Sequence, residues 1–340
     1  MDLRPSDEQQ QLVAAFAALY RDLSAPAQVA AAEPGGFSAE LWQSLRSTGA
    51  LEMAAPESRG GWGASLLDLA LVAEQHGRAV APAPMIEAQA AIRLLSRLES
   101  PETAAALAAA LSGEQLVTIA LHPAAGGRAT LVPAGTIAAS AVILVDDALV
   151  LVPLAANATA VENQGSLPLA DVEVVDGVTL ASGPDAIEAY AAVIDEWRVL
   201  TGAALAGIAQ CALEIGIDYV KERQAFGVAI GSFQGVAHRL ADRSTEVDGA
   251  ILLARQAAWA AAEDPARTAE LASMAFGFAA ETARDTTYFA LHFHGGYGFM
   301  LEYAIQLYFR RARAWAAILE GPRASYRRVG QVRFAPAGAQ

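Results

Sequence analysis

The sequence predicts an α+β protein in which a helical N-terminal domain, a small β domain and a C-terminal helical bundle follow one another. In the first third, capping residues precede apolar residues spaced three and four apart. Short β-branched runs replace this pattern from Leu116, and a helical pattern without proline then extends from Asp185 to Pro265. We place the domains at residues 1–114, 115–183 and 184–334, with a tail at 335–340.

The first domain is predicted from helix ends. The Ser6–Gln9 segment has the sequence of a capping box, and Ser100–Pro101 is typical of a helix start. Gly77 and Gly113 are typical of helix ends. Between helices, residues 56–63 (PESRGGWG) contain three glycines, which predict a tight loop with exposed backbone amides.

The middle domain is predicted from short β-branched runs separated by Gly, Pro, Asp and Asn. The predicted strands span residues 116–121, 141–145, 148–152 and 172–175. After residue 184 the helical pattern returns, and one helical face carries Phe233, Val236, Ala237, Leu240 and Ala241.

Small residues in the C-terminal domain, Gly202, Ala203, Ala206 and Gly207, would let helices pack closely. Because the domain is apolar and poor in charge, we expect it to form the interface of a dimer or tetramer. The alternative is that these four residues pack inside one subunit.

Composition excludes several classes of protein. The 340 residues are 54% hydrophobic and 18% charged, which excludes a disordered chain. Twenty-three basic against 37 acidic residues give a net charge of −14, which argues against nucleic acid as a partner. Cys211 has no second cysteine to pair with, and neither a signal peptide nor a membrane span is predicted. A cytoplasmic protein is therefore expected.

Three motifs resemble those of the acyl-CoA dehydrogenase family. Residues 221–234 (KERQAFGVAIGSFQ) resemble the family's Arg-x-x-Phe-Gly…Phe-Gln signature, and residues 294–299 (HGGYGF) resemble its Gly-Gly-x-Gly loop. The third, weaker motif is the glycine loop at 56–63. The resemblance extends from about residue 5 to 333. It implies a helical, β-barrel, helical fold, an FAD cofactor and an acyl-CoA substrate.

The resemblance also implies a set of cofactor-binding residues. Arginine offers a bidentate fork for pyrophosphate, phenylalanine covers a ring edge, and glycines let backbone approach a cofactor closely. In the family these groups reach the FAD of the neighbouring subunit, which implies an oligomer. The implied residues are Arg223, Phe226, Phe233, Gln234, His292, Gly295 and Gly296.

The implied reaction is α,β-dehydrogenation of the thioester, which needs a general base. Glu320 lies one residue beyond the family's usual base position, so it is the candidate catalytic residue only if a one-residue bulge corrects the slip. Trp197 occupies the alternative base position, with Glu196 beside it. The other possibility is a base supplied by a partner subunit.

The middle domain departs further from the family pattern. Residues 120–127 (ALHPAAGG) replace the usual Thr-Glu-Pro-x-x-Gly-Ser-Asp-like stretch, and no tryptophan occurs between Trp62 and Trp197. The chain thus resembles subunits of heterotetrameric members, which often act on bulky CoA esters such as steroid side chains. An electron-transfer flavoprotein is the implied acceptor.

One alternative function stays open, and a second is discounted. The chain could be a non-catalytic structural subunit of such a complex. A metal site at His292 and His294 is not expected, because residues two apart on a helix point to different faces and a third ligand is missing.

Overall fold

The computed structural model of the protein describes residues 3–334, and the predicted tail at 335–340 lies outside the described residues. Helices form both ends of the chain and two small sheets form the middle, which confirms the predicted fold class. The N-terminal helices are α1 (Asp7–Leu23), α2 (Pro26–Ala32), α3 (Ala39–Ser47), α4 (Leu66–Arg78), α5 (Met85–Leu95) and α6 (Pro101–Ser112).

The middle of the chain forms short strands. They are β1 (Val117–Ile119), β2 (Arg128–Val132), β3 (Ser140–Val145), β4 (Ala148–Pro153), β5 (Ala158–Ala160), β6 (Ala170–Glu173) and β7 (Val178–Ser182). One sheet has the order β1-β3-β4-β7, in which β1 and β3 are parallel, and the other has the order β2-β6-β5. All four predicted strands are present. The sequence pattern missed β2, β5 and β7, whose residues are mixed in polarity.

Residues 184–334 are mainly helical and contain one hairpin. The helices are α7 (Pro184–Glu222), α8 (Gln234–Glu263), α9 (Thr268–His294), α10 (Ile305–Ala317) and α11 (Pro322–Phe334), and the hairpin strands are β8 (Gln224–Ala225) and β9 (Val228–Ala229). Helix α7 is long and apolar enough to cross a membrane, but 72% of its most apolar window is buried. That burial is typical of a core helix.

Contacts group the chain into two compact units. The first contains the N-terminal residues through Ala30, Leu66–Ala81 and the chain from Arg198 onward. The second contains Ala31–Ser65 and Pro82–Trp197, so the strands share a unit with N-terminal helices. The three-part division at 114 and 183 stays a prediction, although the change from helix to strand and back occurs close to those positions.

Two helix starts are confirmed in atomic detail. The Ser6 hydroxyl accepts a hydrogen bond from the backbone N–H of Gln9 at 3.2 Å, and the Gln9 side chain accepts one from the Ser6 N–H at 3.0 Å. The Ser100 hydroxyl caps α6 in the same way by accepting from the Thr103 N–H at 3.0 Å. Gly113 ends α6 with a φ of 60°.

The prediction that Gly77 ends its helix is wrong. Helix α4 continues through it to Arg78, and a Cβ at position 77 would overlap the backbone carbonyl of Ala204 on α7. The same holds at Gly207, where a Cβ would overlap the carbonyl of Glu74. Glycine is needed at both positions because two helix backbones approach each other there.

The prediction that the four small residues of α7 form an interface between subunits is therefore wrong. Gly207 packs on α4, Gly202 packs beside Phe276 on α9, and both Ala203 and Ala206 are buried. These contacts lie inside the first unit. The alternative stated above, packing within one subunit, is correct for these four residues.

Candidate functional site

The family-like signature at 221–234 forms a tight hairpin between α7 and α8. Strand β8 pairs antiparallel with β9, and the two-residue turn between them is Phe226–Gly227. Both turn residues have positive φ, 53° and 81°. This is the geometry of a type I′ hairpin, whose twist matches that of the strands on either side.

Phe226 at the tip of this hairpin is not buried in the core of the subunit. Its side chain is 96% exposed, and its left-handed backbone costs a bulky residue about 1 kcal/mol relative to glycine. Its ring meets that of Phe233 edge-on, at 6.2 Å between centroids. A strained, exposed aromatic residue points to a binding role outside the subunit.

Arg223 has a fixed backbone and a free side chain. Its N–H donates to the Tyr219 carbonyl at 2.9 Å, and its own carbonyl accepts from the Ile230 N–H at 2.9 Å. Within residues 3–334 the exposed guanidinium has no hydrogen-bond or ion-pair partner, and neither does the exposed side-chain amide of Gln234. The hairpin therefore presents a cation and an amide to whatever lies outside.

The predicted apolar face of α8 is not core. From Gln234 to Glu246 no residue of the helix is buried, and the buried positions begin at Val247. Val236 and Leu240 are half-buried, so their face is partly open to solvent. This face continues from the aromatic pair of the hairpin.

The second motif begins where α9 ends. Gly295 ends the helix with φ 60°, and a Cβ at Gly295 or Gly296 would meet open space. A short 3-10 turn follows at Gly295–Phe299, and it leads into exposed apolar side chains. Phe299 is 64% and Leu301 is 81% exposed. The segment thus offers accessible backbone beside a large apolar surface.

The two histidines of this motif point apart. His292 is exposed and stacks on Tyr288, whereas His294 is buried and stacks on Tyr219 at 3.8 Å between centroids. Burial lowers the pKa of His294 against the opposing effect of its hydrogen bond to the Ala290 carbonyl. No group of three metal-ligating side chains exists among the described residues.

The His294 stacking also joins the two motifs. Tyr219 lies one helical turn before Arg223, and His294 precedes Gly295 directly, so this ring contact brings the hairpin and the glycine turn together. All seven predicted cofactor residues lie in the first unit.

Glu320 lies between α10 and α11, where its carboxylate is held by two partners. Its Oε1 accepts from Arg198 Nε at 3.1 Å and from the Ser325 hydroxyl at 3.0 Å. Ser325 is fully buried in the first turn of α11. These two contacts fix the position of the Glu320 carboxylate. Its role as base stays a prediction.

Glu196, beside the alternative base position, is enclosed by arginines. Its two carboxylate oxygens accept from Arg93 at 2.8 and 2.6 Å and from Arg97 at 3.0 and 2.6 Å. Burial alone would raise the pKa of Glu196, but the hydrogen bonds and charges of Arg93 and Arg97 outweigh burial and lower it. Sequence reasoning missed both arginines because they lie about 100 residues away on the C-terminal end of α5 and just beyond it.

The glycine loop at 56–63 differs from its prediction. Its backbone amides at Gly60, Gly61, Trp62 and Gly63 all donate to carbonyls of residues 52–57. The prediction of exposed amides is therefore wrong, because the chain folds back on itself and uses these donors internally. One of the acceptors, the Glu52 carbonyl, lies in the short Glu52–Ala54 turn just before the loop.

The stretch at 120–127 forms a closed turn as well. Gly126 and Gly127 have φ of 60° and 78°, and Ala125 and Arg128 exchange both backbone hydrogen bonds across them. These amides are likewise occupied by the protein. The turn has the form of an ordinary two-residue hairpin connection.

Comparison with known proteins agrees with these motifs. The chain matches the acyl-CoA dehydrogenase N-terminal domain over residues 6–114 and the acyl-CoA dehydrogenase C-terminal domain over residues 187–333. It is 31% identical to acyl-CoA dehydrogenase FadE27 of Mycobacterium tuberculosis, across 87% of this chain and 88% of that protein.

Solved structures give the same result. The chain is similar to one chain of the ChsE4-ChsE5 complex from Mycobacterium tuberculosis, with a TM-score of 0.89, 27% identity, and coverage of 99% of this chain and 100% of that one. It is also similar to a variant of the Tcur3481-Tcur3483 steroid ACAD, with a TM-score of 0.86, 27% identity, and coverage of 96% and 98%. With the hairpin, the glycine turn and both domain matches in agreement, the chain belongs to the acyl-CoA dehydrogenase family of oxidoreductases.

Proposed function

We propose that this protein takes part in FAD-dependent α,β-dehydrogenation of an acyl-CoA, as one subunit of an oligomer of two unlike chains. In this proposal, Arg223, Phe226, Phe233, Gln234, His292, Gly295 and Gly296 face an FAD bound between subunits. The observation that carries the proposal is the hairpin that exposes Phe226 and leaves the Arg223 guanidinium without a hydrogen-bond or ion-pair partner among residues 3–334.

The residues present fit a dinucleotide. The free guanidinium of Arg223 matches a pyrophosphate in charge and in its bidentate geometry. The exposed ring of Phe226 offers a stacking surface for adenine. The open backbone at Gly295 and Gly296 lets a phosphate or ring approach without steric conflict.

A second, unlike subunit is supported by the closed turn in the middle domain. The Ala125 and Arg128 N–H groups each donate to the carbonyl of the other residue, so these two donors are already used within the turn. A partner chain with an intact middle domain would supply those contacts. The exposed apolar side chains of Phe226, Phe299 and Leu301 would give such a partner apolar contacts.

The reaction requires removal of a proton from Cα and of a hydrogen with its electron pair from Cβ, which leaves a carbon–carbon double bond. The flavin, when bound, accepts the β-hydrogen. Because Arg198 and Ser325 hold the Glu320 carboxylate, we infer that the partner subunit supplies the base, and that Glu320 is the second candidate. In this chain Arg223 holds and orients the cofactor.

For the substrate we propose a bulky acyl chain, and for the acceptor an electron-transfer flavoprotein. The substrate rests on the family resemblance and on the steroid ACAD among the similar structures, and the acceptor rests on the family resemblance. A reducing compartment, the cytoplasm, is proposed from the single cysteine, Cys211, which is half-buried.

The test is to purify the chain alone and together with the product of the adjacent gene. We expect the chain alone to be colourless, and the complex to carry flavin that bleaches anaerobically when a bulky acyl-CoA is added. Full flavin occupancy in a monomer would contradict the shared site. A stable complex without flavin under any condition would favour the alternative, a non-catalytic structural subunit.

The base is tested with Glu320→Gln in the same complex. We expect flavin bleaching to proceed at the unaltered rate, because the base lies on the partner. A loss of roughly a hundredfold or more in the bleaching rate would instead assign the base to Glu320.

A further inference from the structure

A cavity in the second unit is lined on one side by two arginines. Its volume is about 270 Å³, and its walls are formed by the glycine loop and by residues at the end of α5. The lining residues are Ala54, Ala55, Pro56, Gly63, Ala64, Arg93, Ser96 and Arg97. Apart from the arginines, these side chains carry no charge.

The charges in this wall do not balance. Arg93 and Arg97 both bind the one carboxylate of Glu196, which is 7% exposed, at 2.6 Å each. Two guanidinium groups against one carboxylate leave a net charge of +1. The Arg97 side chain is 33% exposed, so its excess positive charge is accessible to an anion that enters the cavity.

The arginines also keep unused donors. Arg93 spends Nε and Nη2 on Glu196, and Arg97 spends Nη1 and Nη2. Arg93 Nη1 and Arg97 Nε have no hydrogen-bond partner within the described part of the chain. Both belong to side chains whose position is already held by Glu196, so a ligand would meet preorganised donors.

The glycine loop beside the arginines does not offer its Gly61 and Gly63 amides to an anion. The amides at Gly61 and Gly63 donate to the carbonyls of Pro56 and Ala55, so the loop contributes shape and not donors. The volume holds a small anion with a few attached carbons, and is below the range of sites for drug-sized ligands. A dinucleotide does not fit.

We propose that this cavity is a binding site for a small anion, a carboxylate or a phosphate group, held by Arg93 and Arg97. Glu196 positions the two guanidinium groups and neutralises one of their charges. The site is built from residues other than those assigned to FAD, and its occupation does not require flavin.

The test uses isothermal titration calorimetry of the purified chain with two probes, inorganic phosphate and succinate. We expect saturable binding of at least one probe, and the tighter probe identifies the phosphate or the carboxylate class. Arg97→Gln should weaken binding by at least about tenfold, because one of two charge-assisted contacts is lost. It keeps the Arg93–Glu196 pair, so the fold retains a compensated buried carboxylate.

Two further variants complete the design. Glu196→Gln should tighten binding by about tenfold or more, since both positive charges then face the ligand. Arg59→Gln is the matched control, because Arg59 bonds the Leu98 carbonyl and does not line the cavity. Absence of saturation by either probe at about 10 mM, or an Arg97→Gln variant that binds like the wild type, would overturn the proposal.

Discussion

The exposed ring of Phe226 allows stability and assembly to be separated in a single substitution. In Phe226→Ala the left-handed turn residue stays non-glycine, so the backbone cost is unchanged. Because the side chain is 96% exposed, its loss should alter the free energy of unfolding by no more than about 0.5 kcal/mol. The subunit alone should therefore be as stable as the wild type.

Assembly should respond very differently. If a partner subunit or its cofactor buries this ring, the lost contact is worth about 1.5–3 kcal/mol. That corresponds to a dissociation constant raised about 10- to 150-fold. The assay is sedimentation velocity of the complex over a dilution series, with urea unfolding of the isolated chain measured in parallel.

The control is Phe334→Ala, which removes another exposed phenylalanine, near the end of α11. It should change neither stability nor assembly. The reasoning is refuted if Phe226→Ala assembles with wild-type affinity, or if it lowers the stability of the isolated chain by more than about 1 kcal/mol.

Three further predictions concern the packing and charges of the subunit. Gly77→Ala should lower the free energy of unfolding in urea by about 1–3 kcal/mol or more, because its Cβ would overlap the Ala204 carbonyl. In the control Gly330→Ala the added Cβ meets open space on α11, so the free energy of unfolding should rise by up to about 1 kcal/mol. Burial lowers the pKa of His76 to about 3, so the folded protein keeps this side chain neutral while the unfolded chain takes up a proton below about pH 6.5. The free energy of unfolding should therefore drop by about 2 kcal/mol between pH 6.5 and pH 5 in the wild type, and by less in His76→Asn. The pKa of Glu196 is lowered, so its ion pairs stabilise the fold above about pH 4.5 and this stabilisation is lost below that pH. The difference in free energy of unfolding between the wild type and Glu196→Gln should shrink in acid, and a difference that stays constant with pH would contradict the ion-pair assignment.

Local features could be predicted from the sequence because their causes are local. The caps at Ser6 and Ser100 need only residues three positions away, and both are present as predicted. The 221–234 segment and the glycine turn at 294–299 were recognised as motifs, and the seven candidate cofactor residues lie in one unit.

Features that depend on distant contacts could not be predicted in this way. Gly77 has the sequence of a helix end, and only the approach of α7 explains why glycine is there instead. Glu196 was identified as a neighbour of a base position, but its arginine partners come from a helix about 100 residues earlier. The turn amides of residues 60–63 were expected to be free because no local signal shows which carbonyls would accept them.

The most direct test of the account is the flavin content of the co-purified complex carrying Arg223→Gln. The account predicts a complex of unchanged size that has lost flavin affinity by at least about tenfold, because the free cation that faces the pyrophosphate is gone. Arg223→Lys should restore only part of the affinity, since an ammonium cannot form the bidentate contact. Arg323→Gln, an exposed arginine on α11, should retain full flavin. Wild-type flavin content in the Arg223→Gln complex would contradict the account.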